Sequence, residues 1–144
     1  MDLPVYEVEF SSIDQYDFLS VGKNGTIEKS IIFTPMAVKG FYNLLLCDVL
    51  ENGEISDLAI SDNGDTEKIL ATVAQCVFYF TDFNPTAFIY AKGSTLSRTR
   101  LYRMGLNKHY DSVVLKFDIF GFKDNNWHQF EKNTNYEAFL VQKK

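Results

Sequence analysis

Asp62-Asn-Gly-Asp-Thr-Glu-Lys-Ile-Leu-Ala-Thr-Val-Ala-Gln-Cys-Val-Phe-Tyr-Phe-Thr-Asp-Phe83 decides the fold. Asp62, Asn63 and Asp65 are all good helix caps, and Glu67 suits the positive end of a helix in its first turn. Asn84-Pro85 stops the run. Ile69, Val73, Val77 and Phe80 recur at helical spacing, and Leu70, Cys76 and Phe83 widen that stripe. A helix with so broad an apolar face predicts deep packing across a sheet. Phe78 and Tyr79, on other faces, are read as further core.

Upstream of this helix the sequence reads as an antiparallel meander. Val5 to Phe10 alternates apolar and acidic residues, the pattern of a half-buried strand. Tyr16–Val21 and Ile27–Phe33 flank Gly22-Lys-Asn-Gly25, a hairpin signal. Phe41–Leu50 is apolar and long enough for a central strand, and Glu51-Asn-Gly-Glu54 turns it into Ile55–Ile60.

Downstream, the apolar run Ala87–Ala91 predicts a strand, and Val113–Gly121 alternates as another. Lys123-Asp-Asn-Asn126 reads as a polar turn, Trp127 and Phe130 as the lead into a loop, and Tyr136–Val141 as the closing strand. The expectation is a single α+β domain over residues 1–144. It has an antiparallel sheet of about five to seven strands with two main helices packed on it.

The second helix follows Lys92-Gly-Ser-Thr95. It holds all three arginines, Arg98, Arg100 and Arg103, and no acid lies between Phe83 and Tyr110. Ser94 or Thr95 is the expected N-cap. Cations near a helix N-terminus oppose its dipole, so something must compensate them. An external anion does so, since free N–H groups and arginine forks both hold phosphate or carboxylate. Internal acids do so equally well. Residues 1–91 carry 14 acids against 4 bases, and residues 92–144 carry 5 against 10. Helical spacing puts Arg98, Tyr102, Gly105 and His109 on one stripe, and Leu96, Arg100, Arg103, Asn107 and Tyr110 on another. A straight helix therefore cannot aim all three arginines at one small ligand.

Other chemistry is missing from the sequence. It has no GxSxG, P-loop, GxGxxG or HExxH. His109 and His128 stand alone, and Asp62-Asn-Gly-Asp65 fails as a calcium loop because Ala59 and Leu70 fall at ligand positions. No metal site, cofactor or catalytic residue is assigned. No apolar run is long enough for a membrane span, and Met1-Asp-Leu-Pro-Val-Tyr-Glu7 lacks the basic start and apolar core of a signal peptide. Cys47 and Cys76 lie in apolar runs and read as buried, reduced thiols of a cytoplasmic protein.

Several segments together resemble an uncharacterised bacterial family of small proteins. They are Tyr16-Asp-Phe18, Ser20-Val-Gly22, Gly25-Thr-Ile27, Tyr42-Asn-Leu44 with Asp48, Asn63-Gly-Asp65, Gly93-Ser-Thr-Leu-Ser-Arg-Thr-Arg-Leu-Tyr102, Trp127 and Tyr136–Phe139. The resemblance spans roughly residues 5–144 and implies no activity. In layout alone, strands followed by a helix are similar to the single-strand-binding folds of the transcriptional coactivator and Whirly type.

Three functions stay open. The leading one is a non-enzymatic binding module for an anionic ligand, foremost single-stranded nucleic acid. Its ligand-binding residues are Lys92, Ser94, Thr95, Arg98, Arg100, Tyr102, Arg103 and Lys108, with Tyr102 stacking on a base. The second is a small metal-independent ribonuclease using His109 or a tyrosine beside an arginine pair. The third is a structural or protein-partner domain whose arginines pair with Asp48, Asp57 or other acids. A homodimer is compatible with all three.

Overall fold

The structure, a computed structural model, describes residues 4–56, 63–93 and 95–144. The hairpins form as the sequence predicts. Strands β1 (Glu9–Ser12), β2 (Gln15–Gly22), β3 (Gly25–Pro35) and β4 (Phe41–Val49) make an antiparallel meander, and β5 (Ile55–Ser56) folds back on the end of β4. Helix α1 (Thr66–Phe83) then crosses the sheet and delivers β6 (Phe88–Ala91) parallel to the start of β4. Helix α2 (Leu96–Lys108) and the short α3 (Tyr110–Val113) lead into β7 (Phe117–Lys123), β8 (Asn126–Gln129) and β9 (Ala138–Lys143). The sheet runs β1-β2-β3-β4-β6-β9-β7-β8, with β5 beside β4. Nine strands among the described residues exceed the expected five to seven, and β1 and β8 are its edges.

The differences from expectation are local. Val5–Val8 lies outside β1, yet Tyr6 and Val8 pack against the core. The predicted strand from Val113 starts at Phe117, because α3 and a turn closed by Lys116 N–H onto the Val113 carbonyl take up the first residues. Trp127 sits in strand β8, not ahead of a loop. The β7–β8 link is a two-residue turn with both Asp124 and Asn125 at positive φ, +52° and +61°. That is the geometry whose twist matches a hairpin. Of the predicted Ile55–Ile60 strand, residues 57–60 lie outside the described residues.

The helices cover one face of the sheet. One cluster joins Tyr16, Phe18, Ile31, Phe33, Leu44 and Leu46 of the meander to Ile69, Val73, Cys76 and Phe80 of α1. The other joins Tyr102 and Val113 to Phe117, Ile119, Phe130, Tyr136 and Phe139. Val77, Ala91 and Val141 touch both, so there is one continuous core. Phe78 packs edge-on against Phe117 at 5.1 Å, and Tyr79 against Phe10 and Tyr16, as core aromatics do. Phe83 departs from the expected stripe: it is 58% exposed at the C-terminal end of α1. Among the described residues no helix is long and apolar enough to cross a membrane.

Candidate anion-binding surface

Helix α2 is placed by its first turn. Thr95 is the N-cap: its backbone is extended (φ −129°, ψ 161°) and its hydroxyl accepts from Arg98 N–H at 3.2 Å. Gly93 lies directly under this turn, and its N–H donates to Thr99 Oγ1 at 2.9 Å. A Cβ on Gly93 would stand 2.4 Å from Thr99 N, so only glycine permits the approach. Ser94 lies outside the described residues.

The side chains then diverge. Arg98 turns inward, and its guanidinium donates to the Leu46 carbonyl of β4. Arg100 is exposed and makes no hydrogen bond or ion pair among the described residues. Arg103 is half-buried, and its guanidinium donates to Asn135 Oδ1, a neutral amide in the segment between β8 and β9. One helical turn on, Asn107 Oδ1 accepts from Asn133 N–H at 3.2 Å, which ties that segment to the same stripe. Lys92 is exposed ahead of the helix. Lys108 reaches instead to Glu67 on α1, with both side chains largely solvated. Tyr102 is 7% exposed and belongs to the second core cluster, so its ring has no free face on which a base could stack.

The expected internal pairing also takes another form. Asp48, a proposed partner of the arginines, is engaged by Lys29. Asp57, the other named acid, lies outside the described residues.

At the C-terminal end of α2 a second polar region forms, which the sequence did not single out. Lys108 and His109 face Asp65, Thr66, Glu67 and Lys68 at the start of α1 across a cleft of about 490 Å³. Asp65 holds the N-cap position without capping. Its Oδ2 accepts from the Tyr6 hydroxyl at 2.5 Å and from Ser20 Oγ at 2.6 Å, and its Oδ1 is buried with no partner. Burial and then the neighbouring Asp65 push the Tyr6 phenol up. The Lys108 ammonium, by hydrogen bond and by charge, holds Glu67 below the usual carboxylate range. Burial and then Lys108 lower His109, with Glu67 opposing. Two perturbed groups, Glu67 and His109, line one cleft, a pattern of functional sites. The sequence signal was the Asn63-Gly-Asp65 turn, legible only as a helix start. No arginine lines this cleft, and among the described residues no three of His, Cys, Asp and Glu gather as for a metal.

No curated protein and no solved structure matches the chain. The pattern of a family of unknown function, DUF6934, matches residues 2–144, and the chain belongs to that family.

Proposed function

We propose that the chain is a non-enzymatic binding module for an anionic ligand, single-stranded nucleic acid foremost, met by the outward stripe of α2. Arg100 and Arg103 make the contacts there, and Lys92 adds charge at the N-terminal end. One observation carries this reading. Among the described residues neither arginine of that stripe meets a carboxylate: Arg100 has no partner, and the partner of Arg103 is the uncharged Asn135. Two guanidinium groups one turn apart, uncompensated on an acidic protein, are suited to phosphate oxygens. Arg98 acts structurally in this reading, and Tyr102 supports the helix from the core. Cys47 and Cys76, buried and not joined in a disulfide, fit a reducing, cytoplasmic setting.

The ribonuclease reading has less support. It needs an arginine beside the general base, and His109 faces Glu67, Lys68 and Lys108.

The test is fluorescence anisotropy with labelled single-stranded DNA and RNA, at low and near-physiological salt. Affinity falls with salt, and Arg100→Ala/Arg103→Ala lowers the log–log slope by about 1.4, roughly 0.7 for each lost phosphate contact. Unchanged binding in the folded double variant would sink the proposal.

A further inference from the structure

Helices α1 and α2 do not close fully on each other. Ala74 on α1 and Gly105 on α2 are small residues at their junction, and the atoms nearest an added Cβ on Gly105 belong to the Leu70 side chain, the first at 3.5 Å. They leave a chamber of about 100 Å³ between the two helices and the sheet, walled by side chains such as Leu70, Val77, Leu106 and Phe139. Apolar walls of this kind offer water few partners, and a buried water needs two to four. An engineered apolar cavity of about 150 Å³, somewhat larger than this one, stays dry and accepts benzene or xenon.

Two polar rings line the chamber, those of Tyr102, which is held in the second core cluster, and His109. His109 lines both the chamber and the outer cleft at the start of α1. Its backbone N–H is used by the Gly105 carbonyl, but among the described residues its ring nitrogens make no hydrogen bond. The outer cleft sets Asp65 and Glu67 against Lys68 and Lys108, so its fixed charges balance. Burial and Lys108 also favour the neutral imidazole. The mouth therefore offers one hydrogen bond and no net charge.

We propose that this chamber binds a compact apolar molecule the size of one aromatic ring, with a single uncharged hydroxyl of the phenol class placed at His109. The ring fills the gap between Ala74 and Gly105. The hydroxyl pairs with the imidazole and points to the outer cleft. This site is separate from the outward stripe of α2 and stands or falls independently of it.

The test is a nuclear magnetic resonance titration of the full chain with phenol, benzene and benzoate. Phenol and benzene are expected to shift the Leu70, Ala74 and Val77 methyl signals saturably. Ala74→Leu, which fills the chamber from α1, abolishes both responses. If that variant fails to fold, Leu106→Phe, which fills it from α2, serves the same purpose. His109→Ala weakens phenol about fivefold and leaves benzene within about twofold, as loss of one hydrogen bond requires. Absence of saturable shifts up to the solubility limit of phenol, or undiminished shifts in a folded chamber-filled variant, overturns the site. Benzoate binding as tightly as phenol overturns the uncharged polar end.

Discussion

Lys29 Nζ and Asp48 Oδ1 meet at 2.5 Å across the β3–β4 ladder, with side chains only 3% and 7% exposed. Both project to the helix-covered face, in line with Ile31 and Leu46. A buried ion pair is costly to desolvate, and removing one member strands the other. Asp48→Ala is therefore expected to cost about 3–5 kcal/mol, measured by urea unfolding. Replacing both, as Lys29→Met/Asp48→Leu, should recover most of it. A loss in Asp48→Ala below about 1 kcal/mol would show that Lys29 finds other compensation.

Asn63 is the second fixed point of the meander. It is 2% exposed, its amide donates to the Gly25 carbonyl at 3.0 Å and to Ser20 Oγ at 3.1 Å, and its Oδ1 accepts from Asn24 N–H at 2.6 Å. Three bonds at about 1 kcal/mol each, with buried groups left unpaired, predict a loss of about 3 kcal/mol for Asn63→Ala. Gly22 lies so close that a Cβ would stand 1.8 Å from the Asn63 carbonyl oxygen. Gly22→Ala should cost at least as much as overpacking a core, about 1–3 kcal/mol. Thermal melts check both, and a normal melting temperature for Gly22→Ala would mean that the hairpin can move off Asn63.

These contacts show what was legible in the sequence. The periodicity of α1 and the Asn-Gly and Asp-Asn turns are local signals, and they placed the elements. Asn63 is 38 residues from Gly25 and 43 from Ser20, and no local pattern announces such a contact. Ser20-Val-Gly22, Gly25-Thr-Ile27 and Asn63-Gly-Asp65 carry the family resemblance as separate pieces, and the fold brings them to one place. For the arginines, spacing separated Arg98 from Arg100 and Arg103 correctly. It could not say which stripe met the sheet, because α2 carries apolar residues on several sides and even leaves Leu96 91% exposed. The same mixture of faces makes Tyr102, buried in the fold, look in the sequence like a stacking surface.

The inward turn of Arg98 separates two effects that a triple substitution would confuse. Arg98→Ala loses a charged hydrogen bond to the Leu46 carbonyl and is expected to cost about 1.5–3 kcal/mol. Arg100 is exposed and the bond of the half-buried Arg103 to Asn135 is solvated, so Arg100→Ala/Arg103→Ala should change stability by less than about 1 kcal/mol. Chemical unfolding of the two variants side by side checks this. Equal losses would place all three arginines in the same structural role.

The two thiols should be inert in the native protein. Cys47 and Cys76 are 1% and 0% exposed, and burial pushes the Cys76 thiol from 9.0 up to about 12. A thiol-specific reagent at neutral pH should label them only at the rate of unfolding. The same shift gives an alkaline limit. Between pH 9.0 and about 12 the unfolded chain loses this proton and the native chain keeps it, so stability is full below 9.0 and falls as pH rises through that window. Burial likewise raises the Tyr16 phenol to about 12, which adds to the fall above pH 10.0. Rapid labelling of folded protein would contradict the packing of α1 on the sheet.

His109 gives the acid side its own signature. Burial, the Lys108 charge and, least, the N-terminal amine lower it from 6.5, Glu67 opposes them, and Asp65 and Lys68 line the same cleft. The native state thus binds fewer protons than the unfolded chain just below pH 6.5. The stability due to a neutral His109 is present above 6.5 and is lost as pH falls through the lowered folded value. The ring is only partly buried and solvent screens it, so the effect is less than about 1 kcal/mol. It lies apart from the loss due to Glu67, which begins only below 4.5 when its partnership with Lys108 is broken. Melting temperature measured from about pH 7.5 down to about pH 5 should fall in the native sequence and flatten in His109→Gln. Parallel curves would mean that another group carries the titration and that the imidazole at the chamber mouth is as solvated as in a free peptide.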